Sequence, residues 1–250
     1  MNAVAELTMD ALKADGTTDN LELYGTALAK ACEKSPPPFG NRRYGDIYRT
    51  VAADPYWLAA SLVTNAEREA EGATRLWSLA ACTSDTDVAA QVKQHAVDES
   101  RHARWYIAML DIVFPDAVDD SLRPHVDTLS PPYTAQLTPR AVAGSAFAHA
   151  VTLDDLVQMN IAEIRTTINQ RLQRPVLLAH CLPAQRHRLV TLLDRLLGDE
   201  IRHVRYSAQL IERFAARDGA DDAIHLMNMR LSDFNEITND EIKHEVFEST

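Results

Sequence analysis

The chain has 250 residues, 46% of them hydrophobic, and a formal net charge of −11 from 36 acidic and 25 basic residues. That length supports one large domain or two small ones with a substantial core, and the acidic balance excludes the basic face that nucleic acid or an anionic membrane surface requires. The three cysteines, Cys32, Cys82 and Cys181, are far apart and form no Cys-x-x-Cys pair, so no disulfide framework or cysteine metal site is indicated. No apolar run reaches the ~20 residues of a membrane span. The N-terminal MNAVAELTMD lacks a basic-then-apolar leader, so the cytoplasm is the expected location.

In chain order, 3–33 has a helical pattern, and SPPPFGNRRYG at 35–45 reads as an irregular connection. Asp54-Pro55 then starts a helix, with a cap residue followed by proline at the first helical position. This block runs to about Cys82. TSDTD at 83–87 is a loop with cap candidates, and a second helix covers Val88 to Phe114. Residues 115–139 hold five prolines and read as a long crossover. A third helix is expected to start near Pro139 and to kink or stop at Pro175. A fourth runs from about Ala184 to Ala216, and 220–247 is helical again. No strand alternation is present.

The expected fold is therefore all-α: two long helical hairpins joined by one long crossover, a four-helix bundle with extra flanking helices. The bundle would occupy 54–216, preceded by an N-terminal extension over 1–53 and followed by a C-terminal helix over 217–250 packed on it, in a single domain.

One octapeptide occurs twice, as DESRHARW at 98–105 and DEIRHVRY at 199–206. Stepping by four and three through the second block gives Val88, Val92, His95, Glu99, His102, Tyr106, Met109 and Val113. The same stepping in the fourth block gives Leu189, Leu193, Leu196, Glu200, His203, Ser207, Leu210 and Phe214. Each set is one face of a packed helix, apolar at its ends and carrying Glu and His in the middle. An ionised carboxylate buried there without compensation costs several kcal/mol, and Glu and His three apart on one face can reach one metal ion.

The partner helices must add carboxylates. In the third block Glu163 stands almost alone, and the midpoint between it and Glu200 falls in the turn CLPAQ at 181–185. In the first block Glu67, Glu69 and Glu71 compete, and the apolar stripe through Leu58, Leu62, Ala66, Ala73 and Leu76 favours Glu69. Glu69, Glu99, His102, Glu163, Glu200 and His203 then form a set of four carboxylates and two imidazoles. Their four negative charges balance two divalent ions of iron, or of iron and manganese, better than they suit a structural zinc.

These ligands resemble those of ferritin-like di-iron carboxylate proteins. The Asp-Glu-x-Arg-His form of both motifs is similar to the branch that includes acyl-carrier desaturases, bacterial multicomponent monooxygenases and arylamine N-oxygenases. The resemblance implies that Asp98 and Asp199 each hold the metal-bound histidine of the opposite motif, His203 and His102 respectively, with Arg101 and Arg202 in support. It also implies an active-site role for Thr167, one turn after Glu163, with a small core residue as the equal alternative. His95, one turn before Glu99, sits at the spacing of an extra ligand in the N-oxygenases but in the other motif, so a hydrogen-bonded core histidine competes with a ligand.

The function expected from the resemblance is an O2-activating oxidoreductase that hydroxylates, desaturates or N-oxygenates a small organic substrate. It would draw electrons from an external donor, because no flavin, nicotinamide or rubredoxin signature is present. A ferroxidase or peroxide-handling protein, and a non-catalytic helical module built around a salt-bridged core, are the other readings. The flanking helices are compatible with a homodimer.

Overall fold

The computed structural model describes residues 2–16, 20–121, 123–129 and 144–247, without the side chains of 218 and 240–247. Among the described residues there are nine α-helices and no strand. They are α1 (Ala3–Ala14), α2 (Glu22–Lys34), α3 (Arg42–Val51), α4 (Pro55–Cys82), α5 (Thr86–Val113), α6 (Arg123–Thr128), α7 (Leu153–His180), α8 (Arg186–Asp218) and α9 (Ala220–Phe247). None of them is long and apolar enough to cross a membrane.

The chain divides into two compact units, and α7 and α8 contribute to both. The first unit comprises Met1–Val51, Thr152–Gln173 and Leu197–Thr250; the second comprises Ala52–Val151 and Arg174–Leu196. This division cuts across the expected bundle of 54–216, because 152–173 and 197–216 group with the terminal helices instead. On α7 the boundary falls beside Pro175, and on α8 beside Gly198.

In the first unit, α2 lacks a side-chain N-cap of its own. The Glu212 carboxylate on α8 supplies one, accepting from the backbone N–H groups of Leu23 (3.3 Å) and Tyr24 (2.7 Å). Tyr24 is fully buried and its hydroxyl donates to Asn160 Oδ1 at 2.9 Å. The Asn160 amide in turn donates to Val204 O (3.1 Å) and Ser207 Oγ (2.9 Å), joining α2, α7 and α8 through one satisfied polar node. Helix α9 is held by Arg165 Nε donating to Thr238 Oγ1 (3.0 Å) and by Arg230 on Asp154.

The second unit is built on the α4–α5 hairpin. Asp54 caps α4 through Tyr56 N–H, as the sequence indicates, and Asp85 caps α5 through Asp87 and Val88 N–H, starting that helix at Thr86 and not at Val88. Leu58, Leu62, Val92, Met109 and Leu110 are buried along this hairpin, joined by Leu177, Leu189 and Leu193 from the ends of α7 and α8. Each such side chain contributes about 1.5–3 kcal/mol.

The structure revises three further expectations about elements. Helix α7 begins at Leu153, not near Pro139, because Thr152 and Asp155 form a reciprocal cap: Thr152 N and Oγ1 donate to Asp155 Oδ2, and Asp155 N donates to Thr152 Oγ1. Residues 144–152 precede it without helix, and 139–143 lie outside the described residues. Helix α7 also continues through Pro175 to His180, forgoing one backbone bond to the Arg171 carbonyl. The connection read as irregular ends early, since Asn41 caps α3 through Arg43 N–H.

Candidate metal centre

Helices α4 and α5 bring three of the expected ligands together. Glu69, Glu99 and His102 are all buried, and one potential ligand atom from each lies within 4.8 Å of the others. His102 Nδ1 is 3.3 Å from Glu99 Oε1 and 3.6 Å from Glu69 Oε2. Glu67 and Glu71 are exposed, and Glu71 pairs with Arg75, so Glu69 alone of the three acids turns inward. His95 adds a second imidazole, with Nε2 at 3.4 Å from Glu99 Oε1. Burial raises the Glu99 carboxyl, but hydrogen bonds and charge from His102 and His95 outweigh it and hold the group well below the usual carboxylate range. The Trp105 ring stacks on His102 at 5.5 Å and carries Arg101 on its face at 5.0 Å, an arrangement that orients the imidazole.

Glycine matters at one point here. A Cβ at position 72 would come within 3.3 Å of Glu99 Oε2, so Gly72 opens the space that the carboxylate occupies.

In the first unit, α7 and α8 place Glu163 and Glu200 beside His203. His203 Nδ1 is 3.2 Å from Glu200 Oε2 and 3.9 Å from Glu163 Oε2, and all three residues are buried. Gln170 donates to the other Glu200 oxygen, Oε1, at 2.8 Å. Ser207 donates to the His203 carbonyl at 2.7 Å and so joins the Asn160 node to this trio. Gln170 and Asn160 were not singled out from the sequence, although a signal exists: Asn160, Glu163, Thr167 and Gln170 step by three, four and three, putting a polar residue at every position of a buried stripe.

The acids preceding each ligand glutamate are also held. Asp98 is wholly buried and accepts from Gln94 (2.9 Å) and Arg101 (2.6 Å); Asp199 accepts from Arg202 (2.8 Å). Thr167 is buried on α7.

The donor set fits a divalent metal. Each trio offers two carboxylates and one imidazole, all removed from bulk water, and hard oxygen with imidazole nitrogen is the ligand chemistry of iron and manganese. Uncompensated, so many buried acids would be costly. The molecule is thus an all-helical protein with buried Glu/His clusters able to hold metal ions. The chain matches no known family model, no curated protein and no solved structure.

Proposed function

We propose that Glu69, Glu99, His102, Glu163, Glu200 and His203 are the ligands of a pair of iron ions, or of iron and manganese, in a ferritin-like oxidoreductase that activates O2 against a small organic substrate. The observation that carries this reading is duplication. The Glu/His pair of each octapeptide, Glu99 with His102 on α5 and Glu200 with His203 on α8, is joined by a glutamate from the preceding helix of the hairpin, Glu69 or Glu163, and all six residues are buried. A salt-bridged core needs opposite charges in comparable number, whereas these positions hold four acids and only two imidazoles.

A pair of ferrous ions held by these six residues would supply the two electrons that O2 activation needs. The chain's own residues set the conditions for that chemistry. Gln170 pins one oxygen of Glu200 and thereby aims the other toward His203. Arg101 and Arg202 pair with Asp98 and Asp199 and fix the orientation of those carboxylates. Thr167 places a hydroxyl that can give or accept a proton one turn from Glu163. With no nicotinamide or flavin signature in the sequence, the reading includes an external electron donor.

Oxygen uptake tests the reading. Protein loaded anaerobically with ferrous iron and mixed with O2 should consume oxygen in proportion to bound iron, and Glu200→Ala should abolish that consumption. Equal uptake by the two proteins would overturn the assignment.

A further inference from the structure

The first unit contains a pocket of about 370 Å³, mouth included, walled by α1, α7 and α8. Its walls are largely apolar: Leu7, Leu12, Ile164, Ile168 and Ile201 face it, and Leu7 is 45% exposed at its edge. Three polar side chains, Thr8, Thr167 and Arg171, break that character. Thr167 lines the pocket at only 8% exposure, yet its hydroxyl has no hydrogen-bond partner. Helical threonines commonly donate back to the carbonyl four residues earlier, as Thr8 on the facing helix does to Val4 at 2.8 Å. Arg171 lines the pocket too, is exposed, and makes no ion pair among the described residues.

Spacing relates these groups. Glu163, Thr167 and Arg171 stand four apart on one face of α7, so the Arg171 Cα lies about one helical turn, ~6 Å, beyond that of Thr167. Ile164 and Ile201, each next in sequence to a proposed ligand glutamate, form part of the wall. An unpaired buried hydroxyl costs free energy that a bound polar group would recover. An apolar cleft with one cation at its mouth selects an anion with a hydrocarbon body.

We propose that this pocket is the substrate site and that it takes a small organic acid, its anionic group on Arg171, its hydrocarbon body against the isoleucine and leucine walls, and a polar atom on Thr167. The proposal rests on reading Glu163 and Glu200 as metal ligands for its link to catalysis, but not for the class of molecule bound.

Calorimetric titration of the purified, iron-assayed protein tests it, using carboxylate and amide pairs: benzoate with benzamide, hexanoate with hexanamide, and 4-phenylbutyrate with its amide. At least one carboxylate should bind about fivefold more tightly than its amide. The ratio should fall to about one in Arg171→Gln, and binding should be lost in Ala11→Phe, which fills the pocket from α1 without touching a proposed ligand. No preference for any carboxylate, or a preference that survives both Arg171→Gln and Ala11→Phe, would overturn the proposal. Iron content and oxygen uptake measured on the same samples separate the two readings. Carboxylate binding that depends on Arg171 in protein that cannot hold iron would uphold the ligand class and sink the di-metal function. Iron-loaded, oxygen-consuming protein without that preference would do the reverse.

Discussion

Replacing Asn160 with alanine should destabilise the protein by about 2–4 kcal/mol, more than a single lost side chain of that size ordinarily costs. Its amide links three helices of the first unit, accepting from Tyr24 and donating to Val204 and Ser207. The Ser207 hydroxyl keeps its bonds to the His203 and Val204 carbonyls after the substitution, so its loss is small. Tyr24 has no such reserve: it is fully buried, and burial raises its phenol so far that it stays a proton donor at any ordinary pH. A buried donor stranded in this way costs about 1–3 kcal/mol, and the vacated amide volume adds about 1 kcal/mol. Tyr24→Phe strands the Asn160 oxygen instead and should cost about 1–2 kcal/mol. The double variant Tyr24→Phe/Asn160→Ala, which removes both partners, should be markedly less destabilised than the sum of the single changes. Urea unfolding followed by circular dichroism measures all three, provided the m-values agree. An Asn160→Ala protein within 0.5 kcal/mol of wild type, or strictly additive costs in the double variant, would refute the node as a structural element.

Gly72→Ala should raise or leave unchanged the stability of the metal-free protein, since a helical glycine is about 0.5–1 kcal/mol worse than alanine. It should nevertheless weaken iron binding, because the new methyl crowds Glu99 Oε2, and equilibrium dialysis with ferrous iron would show it. Glu69→Gln should lower iron content while Glu67→Gln and Glu71→Gln leave it at the wild-type level, as metal analysis would show. Burial pushes the Cys32 thiol up to about 12. Below the ordinary thiol value of about 8.5 it is protonated in both states and adds no pH dependence. Above that value the unfolded thiol ionises while the folded one does not, so stability falls as pH rises toward 12. Urea midpoints measured between pH 8 and 11 should decline less steeply in Cys32→Ala than in wild type.

What could be read from the sequence was local. Asp54-Pro55 carries its cap chemistry in neighbouring residues and α4 starts where that chemistry places it, whereas among the cap candidates of 83–87 it is Asp85 that starts α5, two residues ahead of Val88. The same kind of signal was present at Thr152-x-x-Asp155 but was eclipsed by Pro139, which looked like the stronger helix start. Helix α3 was missed because RRYGDIYRTV offers only a narrow apolar face beside a run of prolines. Glu69 could be chosen over its neighbours because heptad stepping reports which side of α4 turns inward. Partners set by tertiary packing had no such report. Nothing in the sequence around Glu212 says that it caps α2 about 190 residues earlier, and the pocket exists only because α1 lies against α7 and α8. The division of α7 and α8 between two units has the same origin, since each helix reads as one continuous pattern.

Metal content bears most directly on the central claim. After anaerobic loading with ferrous iron and desalting, wild-type protein should retain about two irons per chain, and Glu99→Ala, which keeps its helix-forming character, should lose most of them. Iron near zero in both proteins, or the same iron in both, would contradict the di-metal account and leave the repeated octapeptide as an element of core packing.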